Sequence, residues 1–131
     1  MFPYMVDASK ATGGGAVPSF IWNAFDPESK FFEIPSCGNL QVTPLPVIHG
    51  KYHSQGKEGQ PYICLGFRIG DMSYLSDVNR VPPEAKAKID GTRILIVDAL
   101  RKKPHPSHFG FDEVVLKPHE ANRRRRILCC R

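Results

Sequence analysis

Apolar residues in this 131-residue chain come in short bursts cut by proline and glycine. Phe20-Ile21-Trp22, Phe31-Phe32-Glu33-Ile34 and residues 40–48 are each too brief for a helix and read as strands. Pro44 and Pro46 remove two backbone donors from the third, which predicts an edge strand or an extended arm. A polar loop over 50–60 follows, then two strands, 62–69 and 72–75, around Gly70-Asp71, a strong hairpin-turn signal. Pro82-Pro83 opens a short helix over 84–89 that stops at Gly91, with proline in the first turn and glycine past the end. Residues 94–97, Ile-Leu-Ile-Val, lack polar alternation, as a strand buried on both faces should. After a proline- and histidine-bearing loop, a second helix starts near Phe111-Asp112-Glu113. Beyond residue 117 no helical or strand period survives, which predicts a domain over 1–117 and a basic, disordered tail over 118–131. Gly13-Gly14-Gly15 lacks the lysine and spacing of a phosphate loop and reads as a flexible connection.

The order strand, helix, strand over 72–97 predicts a right-handed crossover joining parallel strands, hence an α/β (α+β) fold. In such sheets the carboxyl ends of parallel strands share one edge, where ligands usually bind. That edge would carry Asp77 and Asp98, with His49 arriving from the proline-rich strand and His105 and His108 from the 103–110 loop. Imidazoles and carboxylates together are the ligand inventory of a divalent ion such as Zn or Mn. Each residue also has a plainer reading. An aspartate after a strand is commonly a turn or cap residue, and His49 and His53 beside glycine could be surface side chains. Pro106 prevents His105 and His108 from forming a helical pair.

Composition narrows the classes. At 41% hydrophobic and 24% charged the chain is ordinary for a globular protein. No apolar run approaches a membrane helix, and the first fifteen residues do not resemble a secretory signal, so a cytoplasmic protein without a membrane partner is expected. The net charge of +5 is unevenly placed: residues 1–100 carry nine Lys/Arg against ten Asp/Glu, and residues 101–131 nine against three. Arg123, Arg124, Arg125 and Arg126 could therefore serve a nucleic-acid-binding or interaction module, or a nuclear-localisation signal. A solvated tail is the plainer reading. Cys37, Cys64, Cys129 and Cys130 lack zinc-finger spacing and read as reduced thiols.

Taken in order, Thr43-Pro44-Leu45-Pro46-Val47-Ile48-His49-Gly50, Tyr74-Leu75-Ser76-Asp77, Val97-Asp98-Ala99-Leu100, His105-Pro106-Ser107-His108-Phe109 and Asp112-Glu113 resemble the second half of a metallo-β-lactamase-fold hydrolase. The likeness covers residues 2–116 and is to the branch of cyclic phosphodiesterases of phosphonate metabolism and their eukaryotic relatives. It implies part of an αββα sandwich with a site for two divalent metal ions, Zn or Mn, acting on a phosphodiester small molecule or nucleotide. By the resemblance His49 and Asp77 are metal ligands, His108 contacts the substrate phosphate or assists the leaving group, and Asp98 sits where the family keeps an acidic residue after a strand, standing behind the ligands. The family's HxHxDH motif is missing, since the histidines here are His49, His53, His105, His108 and His119. The last ligand histidine is also missing, and His119, after Pro118, is a poor substitute. The resemblance thus implies a truncated, inactive portion of a hydrolase, with an exposed sheet edge inviting self-association.

Overall fold

The computed structural model describes residues 7–10, 13, 20, 22–54, 56–115 and 126–130. Six strands form one sheet in chain order: β1 (Phe32–Ile34), β2 (Leu40–Lys51), β3 (Pro61–Ile69), β4 (Met72–Leu75), β5 (Ile94–Asp98) and β6 (Arg126–Cys130). The first four pair antiparallel, and β4–β5 and β5–β6 pair parallel. Helices α1 (Pro83–Ile89) and α2 (Phe111–Val115) complete a mixed α/β unit, as expected for part of a metallo-β-lactamase fold.

The Gly70-Asp71 hairpin and the β4–α1–β5 crossover form where the sequence signals place them. Pro82 and Pro83 open α1, where a missing N–H costs nothing, and Ala85 and Ile89 bury their i, i+4 face on the sheet. They join Leu45, Val47, Leu75, Val78 and Val97 in the core. Arg68 pins the far end of α1 to the hairpin by donating to the carbonyls of Gly70 (2.8 Å), Lys88 (2.7 Å) and Asp90.

Three expectations need correction. The proline-bearing strand is not an edge: β2 lies between β1 and β3. Its register explains how it tolerates proline. Pro44, Pro46 and Ile48 share one parity, and the Ile48 N–H points away from β3, donating to the Arg80 carbonyl at 2.9 Å. The missing donors of Pro44 and Pro46 therefore face that same side, while β1 pairs only with residues 40–42. Second, Phe20 and Trp22 form no strand; they lie exposed, their rings 5.9 Å apart, with no strand beside them to pair with among the described residues. Third, residues 126–130, read as patternless tail, form β6, in parallel register with β5. Arg123–Arg125, Ile21, His119 and Gly14-Gly15 lie outside the described residues. None of the described helices is long and apolar enough to cross a membrane.

Candidate metal centre

The strand ends at the β4–β5 carboxyl edge gather the chemistry. His49 sits near the end of β2, where the register slips between Ile48 and Lys51. A bulge of this kind re-aims a side chain. Gly50 follows at φ +121°, and a Cβ there would lie 3.0 Å from Ser107 Oγ and 3.3 Å from the Pro106 carbonyl. Glycine thus serves twice, permitting the backbone angle and letting the 103–110 loop lie against the strand.

Asp77 stands two residues beyond β4, in a turn stapled to β2: Asn79 and Arg80 both donate their N–H to the Ile48 carbonyl, at 2.7 and 3.1 Å. His108 comes from the loop after β5. That loop is tied down by Phe109 N–H to the Val78 carbonyl (2.8 Å), by Leu100 N–H to the Phe109 carbonyl (3.1 Å) and by the Asn79 amide to the His105 carbonyl (3.1 Å).

These ties bring one ligand atom each of His49, Asp77 and His108 within 4.8 Å of one another. The His49 and His108 rings meet edge-on, centroids 4.7 Å apart. Asp98 ends β5, 8% exposed, and its Oδ2 lies 2.5 Å from His108 Nδ1. That contact occupies Nδ1 and leaves Nε2 as the nitrogen free for a ligand. His49 Nδ1 is shut off from solvent and has no hydrogen-bond partner. An imidazole nitrogen left so is an unmet polar group, which a cation would satisfy if it bound at Nδ1 itself.

The other histidines differ. His105 packs against His108 with centroids 5.1 Å apart, and its Nδ1 accepts the Ser107 N–H, so it caps its own loop. Its ring is held below the ordinary imidazole value by burial, then by Arg101, His108 and His49, with Asp98 opposing. His53 is exposed, and with Lys51 and Tyr62 it borders a cleft of about 500 Å³ that contains His49 and Asp77. Lys51 and His53 also border a second cleft, of about 380 Å³, shared with Arg80. Lys51 thus borders both clefts, and Arg80 only the second. The sequence reading passed over Lys51 and Arg80 because an isolated lysine or arginine carries no signal until the fold places it beside a site.

The trio suits one divalent ion: two imidazoles and a carboxylate are borderline donors, and the orphaned His49 nitrogen fits a ligand role. Among the described residues no second group of donors stands beside the trio. A bound ion takes about four donors, and the described residues supply one group of three.

Residues 6–129 match the Beta-lactamase superfamily domain. The chain belongs to that family. The match runs past residue 116, where the resemblance read from motifs ended, and takes in most of β6. The chain is also similar to a solved structure, a new diphosphatase from the PhnP family, with 35% identity and a TM-score of 0.50 over 59% of this chain and 26% of that one. An octanoyltransferase of Porphyromonas gingivalis (strain ATCC BAA-308 / W83) is 30% identical over 78 residues, 59% of this chain and 14% of that protein. The chain therefore spans about a quarter or less of these relatives. That superfamily generally uses divalent metals, and the described residues bring together one His–Asp–His group that could hold an ion.

Proposed function

We propose that this domain serves hydrolysis of a phosphodiester or diphosphate bond, and that these residues alone turn over little. The carrying observation is the convergence of His49, Asp77 and His108, the first two of which line a cleft bordered by Lys51. Lys51, His53 and Arg80 suit an anionic substrate, and the diphosphatase likeness supports phosphorus as the reacting centre. A divalent ion at the trio would polarise a phosphoryl oxygen. The chain's own part is to hold the phosphate against the rim and to fix the His108 ring through Asp98, so that its orientation needs no rearrangement during reaction. Low turnover follows from the donor count, since three protein ligands fall short of the binuclear arrangement the resemblance implies.

The test is a bis-aryl phosphodiester with manganese or zinc, read by nitrophenolate release and by chemical-shift changes of cleft residues. Binding in the cleft with turnover no faster than the metal blank is the expected result. Turnover that His49→Ala abolishes would overturn the low-activity reading, and no binding at any metal concentration would overturn the phosphodiester class.

A further inference from the structure

We propose that the smaller cleft, the one bordered by Arg80, receives an aromatic ring carried on the substrate's phosphoryl group, and that Arg80 selects for that ring. This deepens the proposed function and rests on it, since the neighbouring cleft of His49 and Asp77 is taken as the place of the phosphoryl group.

Position is the first support. The two clefts share Lys51, His53 and Ser107, so one ligand can reach across that common wall. The smaller cleft, of about 380 Å³, falls within the range of roughly 300–1,000 Å³ typical of small-molecule pockets. Its walls are tied in place. Ile48 N–H donates to the Arg80 carbonyl at 2.9 Å and Arg80 N–H to the Ile48 carbonyl at 3.1 Å, which fixes the arginine backbone beside the irregularity in β2. The Asn79 amide holds the His105 carbonyl at 3.1 Å, and Gly50 lets Ser107 lie against the strand.

Lining chemistry is the second support. Ile48, Pro61 and Pro106 supply apolar surface, Asn79 and Ser107 contribute polar atoms, and no carboxylate borders this cleft among the described residues. Apolar walls with a few polar groups suit an organic ring. Lys51, on the wall common to both clefts, suits the phosphoryl charge. Arg80 borders only the smaller cleft, where a planar guanidinium can stack on an aromatic face.

Arg80 is also uncommitted. Arg68 is engaged by three carbonyls, Arg93 by Asp71 and Arg101 by the Pro104 carbonyl. Among the described residues Arg80 hydrogen-bonds through its backbone alone and joins no ion pair. Its side chain is exposed, so it is anchored at the cleft and still open to a ligand.

The experiment titrates the intact, isotope-labelled chain, with zinc present, with methyl phosphate, phenyl phosphate and adenosine 5′-monophosphate, read by amide chemical shifts. At least one ring-bearing ligand should bind about tenfold more tightly than methyl phosphate. It should also shift Gly50, Arg80 and Ser107, beyond the shifts that methyl phosphate causes at His49 and Asp77. A preference for the nucleotide alone assigns the ring to a nucleobase, and one for phenyl phosphate to an aryl ester. Arg80→Ala should bring the ratio to within about twofold, while Arg80→Lys should recover methyl phosphate binding but not the ratio, because it keeps the charge and loses the plane. Circular dichroism and thermal melting of both variants separate these effects from misfolding. Equal binding of all three ligands, or an unchanged ratio in folded Arg80→Ala, would overturn the inference. The full ratio in Arg80→Lys would overturn the selecting role of Arg80. Methyl phosphate binding beside His49 with no ring preference would sink this inference and leave the proposed function standing. Absence of binding by any of the three would strike the proposed function, and this inference with it.

Discussion

The two faces of the same sheet meet opposite fates. On one, Leu45 of β2, Leu75 of β4 and Val97 of β5 are 0–2% exposed beneath α1. On the other, residues of β3, β4 and β6 lie open: Ile63 is 51% exposed, Tyr74 41% and Leu128 53%. Register proves they share a face, since Tyr74, Ile96 and Leu128 stand in line across β4, β5 and β6. One end of the open face is partly covered by Phe25 stacked on Phe32 at 4.2 Å, with Phe67 edge-on to both. The strands are thus written for burial on both sides, and the described residues bury the second face only at its β1–β2 end, where Val42 and Pro44 are covered. A soluble sheet with one wet face normally alternates apolar and polar, and β5 does not. The comparison separates what holds this domain together from what it presents to another surface.

The largest effect that sharpens the contrast is in the buried face. Leu75→Ala should cost about 2–5 kcal/mol, because the lost methyl groups leave a cavity that surrounding strands cannot fill. Tyr74→Ala, one residue away on the open face, should cost about 0.5 kcal/mol. Urea unfolding of both variants checks this. Equal losses would mean that the open face is covered in solution, by a second copy or by further chain.

Gly66→Ala comes next. Gly66 stands opposite Leu45 in register, and a Cβ there would run into Leu75 Cδ2 and lie 2.7 Å from the Tyr74 carbonyl oxygen. The leucine tip can swing but the backbone oxygen cannot, so about 1–3 kcal/mol of strain is expected. A thermal melt of this variant beside Gly70→Ala, where a Cβ meets nothing within 4 Å but φ is +57°, separates crowding from backbone strain.

The hairpin, the crossover and α1 were legible because local signals and global fold agree there: Gly70-Asp71, Pro82-Pro83 and Gly91 all specify the same turns that the tertiary structure uses. Placing Asp77 and Asp98 at one sheet edge followed from parallel pairing, and His49 and His108 from the strand and loop that lead to that edge. What stayed hidden needed neighbours. The parity that hides the prolines of β2 depends on which side β3 occupies, and the pairing of β6 depends on a partner some thirty residues earlier in sequence. The Asp98–His108 contact likewise depends on how the 103–110 loop folds back over β5. No periodicity within a window reports any of these.

A smaller effect tests polar satisfaction under α1. Ser73 and Thr92 are fully buried and share a 2.8 Å hydrogen bond between their hydroxyls. Thr92→Val keeps the shape but leaves the Ser73 hydroxyl without that partner, at a cost of about 1–3 kcal/mol. Adding Ser73→Ala removes the orphan and should recover much of that loss, measurable in a double-mutant cycle.

The smallest effect probes where the covered face ends. Cys64 and Cys129 share the core-facing parity, since Cys64 opposes Val47 and Cys129 opposes Val97. Yet Cys64 is half-buried while Cys129, on the outermost strand, is exposed, as is Cys37. Burial, and then the nearby Asp77 carboxylate, push the Cys64 thiol above its ordinary value. Because the thiolate is the nucleophile, a raised value means less reactive species at a given pH. Timed iodoacetamide labelling with mass-spectrometric mapping should therefore modify Cys37 and Cys129 before Cys64. Raising the pH should speed labelling of Cys64, with its rate still climbing above the ordinary thiol range. Equal rates for Cys64 and Cys129 would show that the shelter of α1 does not end at β5, and the boundary between the covered and open parts of that face would have to be redrawn.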